Sequence, residues 1–360
     1  MSSLASTQST TALGGRNLLG RSFLHPVFDY ALIGGVLSLL FIPLVYFTGL
    51  GQSASFTGML PWVILLSNST HFASSTVRLY TKPGTNAELP FLTMALPIIT
   101  FVVITLAVFR ADLFGRWFQW LYLTWSPYHY AAQAYGIAVL YSFRSGCRLT
   151  RLQKRLLWLS ALCPFIYVTL QSTYTHLFAW LFDEYSIVNT PTVERLMQAC
   201  INVAAMATFA TPILSWLWIF RSQRQAMPLI SFLAVFSNGI WFVVFPLVQG
   251  FIWVTVFHGI QYLAIVMLFH VKDQMQQPGN RRSPVAHAIL FYGISLVLGY
   301  GLFNAWPQFY RMLGFDLTES MLMVAAAINI HHFIVDAYIW KTRPGDSNRR
   351  VIEDSPGGSA

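Results

Sequence analysis

A chain of 360 residues that is 55% hydrophobic, 16% aromatic and only 10% charged does not have the composition of a water-soluble domain. Its formal charge of +9 would suit nucleic acid, but the basic residues sit in short segments between apolar runs, where they set membrane topology; no nucleic-acid partner is expected. Three cysteines, Cys147, Cys163 and Cys200, give neither a disulfide framework nor a metal-type spacing.

Taken in order, the chain opens on a Ser-, Thr- and Gly-rich stretch without the apolar core of a signal peptide, and residues 1–28 read as a flexible cytoplasmic segment. Ten apolar stretches follow, near 30–50, 58–77, 90–109, 117–142, 156–181, 196–220, 228–245, 248–271, 284–304 and 319–340, each long enough to cross hydrocarbon. The second carries Asn68, Ser69, Thr70, Ser74 and Ser75, a polar load that suits a helix facing protein rather than lipid. The seventh and eighth form one long run divided at Pro246. Residues 342–360, with Pro, Gly, Ser and mixed charge, read as a disordered cytoplasmic tail. The expectation is an all-α polytopic transmembrane bundle of about ten spans, with a single membrane domain over 29–341. Of 22 Lys and Arg, all but Arg110, Arg116, Arg195 and Arg311 fall on one side of that arrangement, which places both termini in the cytoplasm. No Gly-rich phosphate loop, internal repeat or long hydrophilic domain interrupts it.

The last span holds the sequence Asn329-Ile-His-His-Phe-Ile-Val-Asp336, two histidines and an aspartate inside an apolar run. Ionisable groups at that depth cost several kcal/mol unless paired, hydrated or bound to a metal. His332 and Asp336, four apart, share a helix face. Further histidines stand in the second span (His71), the fourth (His129) and the eighth (His258), all within spans running in the same direction as the last. Counted from the cytoplasmic ends, they lie about 10–20 Å deep at 1.5 Å per residue, so they can converge on one site. His25 and Asp29 stand at the mouth of the first span and could close that site from below.

Each of four histidines has a hydrogen-bonding residue one turn on: His25 and Asp29, His129 and Gln133, His258 and Tyr262, His332 and Asp336. This spacing lets an outer residue orient a ligand imidazole. Neutral imidazole is the commonest ligand for iron, copper and zinc, and a nitrogen-rich set with few carboxylates favours iron over magnesium or calcium. The candidate ligands are His25, His71, His129, His258, His331 and His332, supported by Asp29, Gln133, Tyr262 and Asp336. For each of them a hydrogen bond between helices is the simpler use, and His-Pro at His25 also suits a helix cap. His176, His270 and His287 fall near the membrane surfaces, and Asn68-Ser-Thr70 lies within a span, where a glycosylation acceptor is not usable.

The order of these motifs resembles that of the bacterial and archaeal β-carotene dioxygenases of the Brp/Blh type. His25-Pro-Val-Phe-Asp29 is similar to that family's early His-x-x-x-Asp, His129-Tyr-Ala-Ala-Gln133 to its second motif, Phe257-His258-Gly-Ile-Gln-Tyr262 to a later one, and His331-His-Phe-Ile-Val-Asp336 to its last. The resemblance implies an all-helical membrane enzyme that binds non-haem iron through histidines on separate helices and cleaves carotene. The chain departs from the pattern at Gln133, where an acid is usual, and at Tyr262, where a second histidine is expected. His71 and the doubled His331-His332 have no clear counterpart.

Two functional classes follow. One is an integral membrane iron oxygenase acting on an apolar small molecule such as a carotenoid, isoprenoid or fatty chain, in the bacterial inner membrane. The other is a transporter or haem-binding electron carrier that uses the histidines and Asp336 as a proton path or axial ligands.

Overall fold

The computed structural model describes residues 18–50, 54–173, 191–223, 226–244, 251–341 and 346–353. Among these the chain is helical, with no strand. In order the helices are α1 (Pro26–Ile33), α2 (Val36–Thr48), α3 (54–81), α4 (Thr85–Glu88), α5 (Phe91–Phe109), α6 (Ala111–Arg144), α7 (Arg151–Thr173), α8 (Pro191–Ser222), α9 (Leu229–Val243), α10 (Phe251–Met275), α11 (Pro284–Met312), α12 (Leu317–Ile339) and α13 (Ser347–Glu353). Short π-helical turns, with one residue more per turn, sit inside α1, α3, α5 and α11.

Five helices are long and apolar enough to cross a membrane: α5, α8, α10, α11 and α12. A sixth is added if α1 and α2, which meet at a 57° bend, form one broken span. The expected ten spans therefore divide. The 58–77 and 117–142 stretches lie on α3 and α6, and the described part of 156–181 lies on α7; none of the three is among the five. The 228–245 stretch gives only the 15 residues of α9, about 22 Å of helix against the roughly 30 Å of a hydrocarbon core. Residues 174–190, with His176, and Pro246 lie outside the described residues.

The polar span is accommodated as its composition requires. In α3, Ser67, Ser69, Thr70, His71, Ser74 and Ser75 are all buried. The hydroxyls of Ser67, Thr70, Ser74 and Ser75 donate to carbonyls one turn back, at 2.6 to 2.9 Å. They thus need no outside partner in an apolar setting. Small side chains also let neighbours close in: a Cβ on Gly299 of α11 would lie 2.8 Å from the Ser69 carbonyl oxygen in the π-helical turn. Helix α3 packs against α10, α11 and α12, while α12 packs in addition on α5 and α6.

Both terminal segments are more ordered than the sequence suggests, within the described residues. Phe23 is 4% exposed and sits in a core cluster with Tyr141 and Phe269, so the expected flexibility of 1–28 does not extend to 18–28. Expected disorder over 342–360 fails likewise at 346–353. There α13 buries Val351 and Ile352 in the same cluster, and Asn348 donates to the Ile339 carbonyl at 2.7 Å. Arg144 fixes both ends, donating to the Ser22 and Ile352 carbonyls at 3.0 Å. Three-dimensional partners for backbone carbonyls and isolated Phe, Val and Ile side chains are invisible to composition.

Candidate metal centre

Four imidazoles from four helices meet in the bundle interior: His71 of α3, His129 of α6, His258 of α10 and His332 of α12. Their rings form a closed cycle, with centroids 4.8 Å apart for His71 and His258, 5.3 Å for His258 and His129, 4.9 Å for His129 and His332, and 4.5 Å for His332 and His71. His71, His258 and His332 are fully buried and His129 is 7% exposed. His71, His129 and His332 can each present one ligand nitrogen such that all three lie within 4.8 Å of one another, a group able to hold a metal ion. His258 joins them by ring contact, with Tyr130 stacked on it at 3.7 Å.

Hydrogen bonding fixes how His332 presents itself. Ser75 Oγ donates to the Phe72 carbonyl at 2.9 Å, so it accepts from His332 Nδ1 at 2.8 Å. The proton then sits on Nδ1, an assignment made from the network, and Nε2 turns a lone pair to the centre. That nitrogen lies 3.2 Å from His129 Nε2 and 3.4 Å from Asp336 Oδ2, which is itself 3.9 Å from His129 Nε2. Two nitrogens about 2.1 Å from a common ion stand roughly 3.0 Å apart at a right angle and roughly 3.4 Å at the tetrahedral angle. The 3.2 Å separation falls between them. Asp336 in turn accepts from the Tyr262 hydroxyl at 2.6 Å, and the Tyr262 ring packs on His71 at 4.6 Å.

Both nitrogens of His71 and both of His258 are sealed from solvent and have no hydrogen-bond partner among the described residues. Buried polar atoms in that state cost about 1–3 kcal/mol each, and proteins rarely carry four together without a ligand or water to satisfy them. The donor set thus fits a metal ion: nitrogen ligands from rigid helices, one carboxyl beside them, and outer hydrogen bonds that hold Asp336 and His332 in place.

On the His129 and Asp336 side the centre meets a cavity of about 370 Å³ between α6, α10 and α12. Helices α6 and α12 pack together, and α10 reaches both through side chains, Gln261 bonding to Gln133 and Tyr262 to Asp336. The cavity walls are mostly aromatic and aliphatic, with Trp125, Tyr128, Leu140, Ile265, Phe333 and Trp340 among them.

Three sequence candidates, His25, Asp29 and His331, fall away from this centre. His25 is exposed and caps α1, its Nδ1 accepting from the Val27 amide at 3.2 Å. Asp29 does not orient His25; its carboxylate accepts from the Phe23 amide at 2.5 Å, the Leu24 amide at 3.3 Å and the Tyr141 hydroxyl at 2.7 Å. Capping and the folded N-terminal segment take up both groups. His331 is buried but makes no ring contact with the cycle among the described residues, since one residue along a helix turns the side chain by about 100°. Gln133 and Tyr262 do not bond to the histidines one turn before them. Gln133 donates to Gln261 at 2.8 Å, and Tyr262 reaches across to Asp336. Sequence reading missed Ser75 and Tyr130. Ser75 lies one turn after His71, a spacing already in use elsewhere, but its partner is on another helix. His270 and His287, near the helix ends, bond to Thr81 and Asn280 at 3.2 and 2.8 Å.

No family model, curated protein or solved structure matches this chain. What the fold and site define is an all-helical chain, among the described residues, with five helices long and apolar enough to cross a membrane and a buried histidine group able to hold a metal ion.

Proposed function

We propose that the protein is an integral membrane, histidine-ligated, non-haem iron oxygenase acting on a lipid-soluble substrate, with carotenoid cleavage as the activity implied by the motif resemblance. The observation that carries the reading is the set of four nitrogens on His71 and His258, unpartnered among the described residues, in the same ring cycle as His129 and His332, whose Nε2 atoms lie 3.2 Å apart. His71, His129 and His332 would hold the ion, with His258 as a further ligand and Asp336 beside them. Iron bound there supplies the activation of dioxygen. The chain itself supplies the rest. Ser75 keeps the proton of His332 on Nδ1, and Tyr262 holds Asp336 by its hydroxyl. The aromatic cavity takes an apolar chain against the His129 and Asp336 edge while excluding water. Iron is preferred to calcium or magnesium because nitrogen donors outnumber oxygen.

The alternative of a proton path draws support from the continuous chain Tyr262, Asp336, His332 and His129. Haem fits less well, because adjacent rings at 4.5–5.3 Å stand too close to admit a porphyrin between them. The arrangement of about ten crossings with both termini cytoplasmic, in a bacterial inner membrane, belongs to the same reading and rests on the Lys and Arg distribution.

The test is metal content and the absorption spectrum of detergent-purified protein. Wild type and His331→Ala are expected to carry about one iron per chain without a haem band, and His71→Ala and His332→Ala to lose it. Wild type that stays metal-free after reloading with ferrous iron would sink the metal reading and leave the proton path. Iron-loaded protein would then be assayed for loss of polyene absorbance with carotenoid supplied.

A further inference from the structure

The cavity beside the histidine layer opens through its side wall. His129, Gly136 and Leu140 line it from one face of α6, and Asp336, Ala337 and Trp340 from α12. Wall residues that see only its interior are buried: Ile137, Tyr262 and Phe333 are each 5% exposed or less. Gly136 and Ala337 line the same cavity and are exposed. Their exposure comes from outside the bundle, so they mark where the cavity reaches its surface. Aromatic packing walls the two ends. Trp125 lies on Phe333 at 5.9 Å near the histidines; at the far end Trp340 meets Phe269 edge-on at 5.3 Å, and Leu140 packs against the same cluster. Glycine weakens a helix interior and suits places where φ is positive or a neighbour presses close. Neither holds at Gly136, which lies inside α6 without a positive φ and where a Cβ would meet nothing within 4 Å among the described residues. What the missing side chain leaves is space at the mouth.

We infer that a long apolar chain enters this cavity end-first from the membrane, through a mouth rimmed by Gly136 and Ala337, and that Gly136 limits what is admitted; this rests on the reading that the cavity receives the substrate. Ala337 stands two residues before the end of α12, a helix of membrane-crossing length. Tyr338 beside it is exposed, with the Lys341 ammonium over its ring at 4.1 Å. Aromatic and cationic side chains gather where hydrocarbon meets headgroups, so the mouth opens on the membrane near one surface. Gly136 is seven residues from His129, about 10 Å along α6 and about 20° around it. A chain passing Gly136 therefore runs along the helix to the His129 and Asp336 edge. At about 30 Å³ for a water-sized group, the 370 Å³ cavity holds about a dozen such groups. That is one end of a long chain. The rest stays in the bilayer, and the position that meets the histidines lies near the end of the chain.

The experiment is photolabelling of the full chain in lipid nanodiscs, with hexadecane dissolved in the lipid and carrying a diazirine either at its end or at its middle. Labelled residues are mapped by mass spectrometry, and iron is measured on the same samples. In wild type the end-tagged probe is expected to label the histidine end of the cavity, around Trp125 and Phe333, and the middle-tagged probe to label the rim instead. Gly136→Trp is expected to lose the label at the histidine end. Gly293→Trp, the same change on α11 at a glycine that also has open space but does not line the cavity, is expected to keep it. Should Gly136→Trp fail to fold, Gly136→Cys carries the test. A benzyl group attached there through a disulfide is expected to remove the label and reduction to restore it, while the same treatment leaves wild type, with its own three cysteines, unchanged. Wild type unlabelled in the cavity, a histidine end labelled equally by both probes, or label that survives the block at Gly136 overturns the inference. Any of these in iron-loaded protein defeats this inference alone. Label that the block removes in protein unable to hold iron supports this inference and defeats the metal reading alone.

Discussion

The bundle holds two buried polar layers of opposite character. Near the ends of α3, α10 and α12, Arg78, which is 1% exposed, pairs with Asp273 and donates to Asn348 at 3.2 Å. Ser347 adds a bond to Asp273 at 3.2 Å, and Lys82 reaches the Ile339 carbonyl at 3.1 Å and Asp346 at 2.9 Å. Seven to fifteen residues back along the same helices, the histidine layer leaves four ring nitrogens without a hydrogen-bond partner among the described residues. The first layer pairs its charges with the chain's own groups, some brought in by α13, and leaves one nitrogen, Arg78 Nη1, without a partner among the described residues. The second leaves two whole imidazoles, His71 and His258, unmatched among the described residues. Burial of polar groups alone is therefore a poor sign of function; burial without partners is the better one.

The comparison is sharpest where an end-layer partner is removed. Arg78→Leu strands Asp273 in the interior and is expected to lower stability by about 3–5 kcal/mol, read as a fall in melting temperature in detergent. Stability unchanged within about 1 kcal/mol would show that the ionic layer is not what fastens α13 and α10 to α3.

In the histidine layer the sign should reverse for metal-free protein. His258→Phe keeps the ring against Tyr130 but removes two unsatisfied nitrogens, so metal-free protein is expected to gain about 1–3 kcal/mol. Added iron should raise the melting temperature of wild type by mass action more than that of the variant. Destabilisation of the metal-free variant would mean that the nitrogens already have partners such as ordered water, and the contrast between the layers would collapse.

Ser75→Ala leaves His332 in place but frees its tautomer. Iron affinity is expected to fall about 10- to 100-fold, measured by chelator competition, with the melting temperature of metal-free protein little changed. Equal loss of stability and affinity would make Ser75 a packing residue.

The smallest expected effect concerns Lys82. Burial, outweighing the hydrogen bond and charge of Asp346, holds its ammonium below the ordinary 10.5. Between that lowered value and 10.5 the unfolded chain binds more protons than the folded one, so stability contributed at Lys82 rises with pH in that window. Subtracting the alkaline stability profile of Lys82→Met from that of wild type should leave a positive slope. A negative one would mean that the Asp346 pair outweighs burial.

The sequence by itself determined that the protein is helical and rich in membrane-length apolar segments, and that several of its helices carry a histidine. Length, hydropathy and a count along each helix suffice for that, because they depend only on local geometry. The pairing of His332 with Asp336 on one face was legible for the same reason. Only the tertiary structure decided which histidines meet. Adjacent His331 and His332 differ by about 100° around α12, and nothing in their spacing says which direction faces α3 and α6. It also decided that His25 caps a helix, that Asp29 serves the N-terminal segment, and that Tyr262 reaches Asp336 rather than His258. Ser75 and Gln261 act across helices, through partners far off in sequence. Such hydrogen bonds are set by packing in three dimensions, where no periodicity along a single helix can register them.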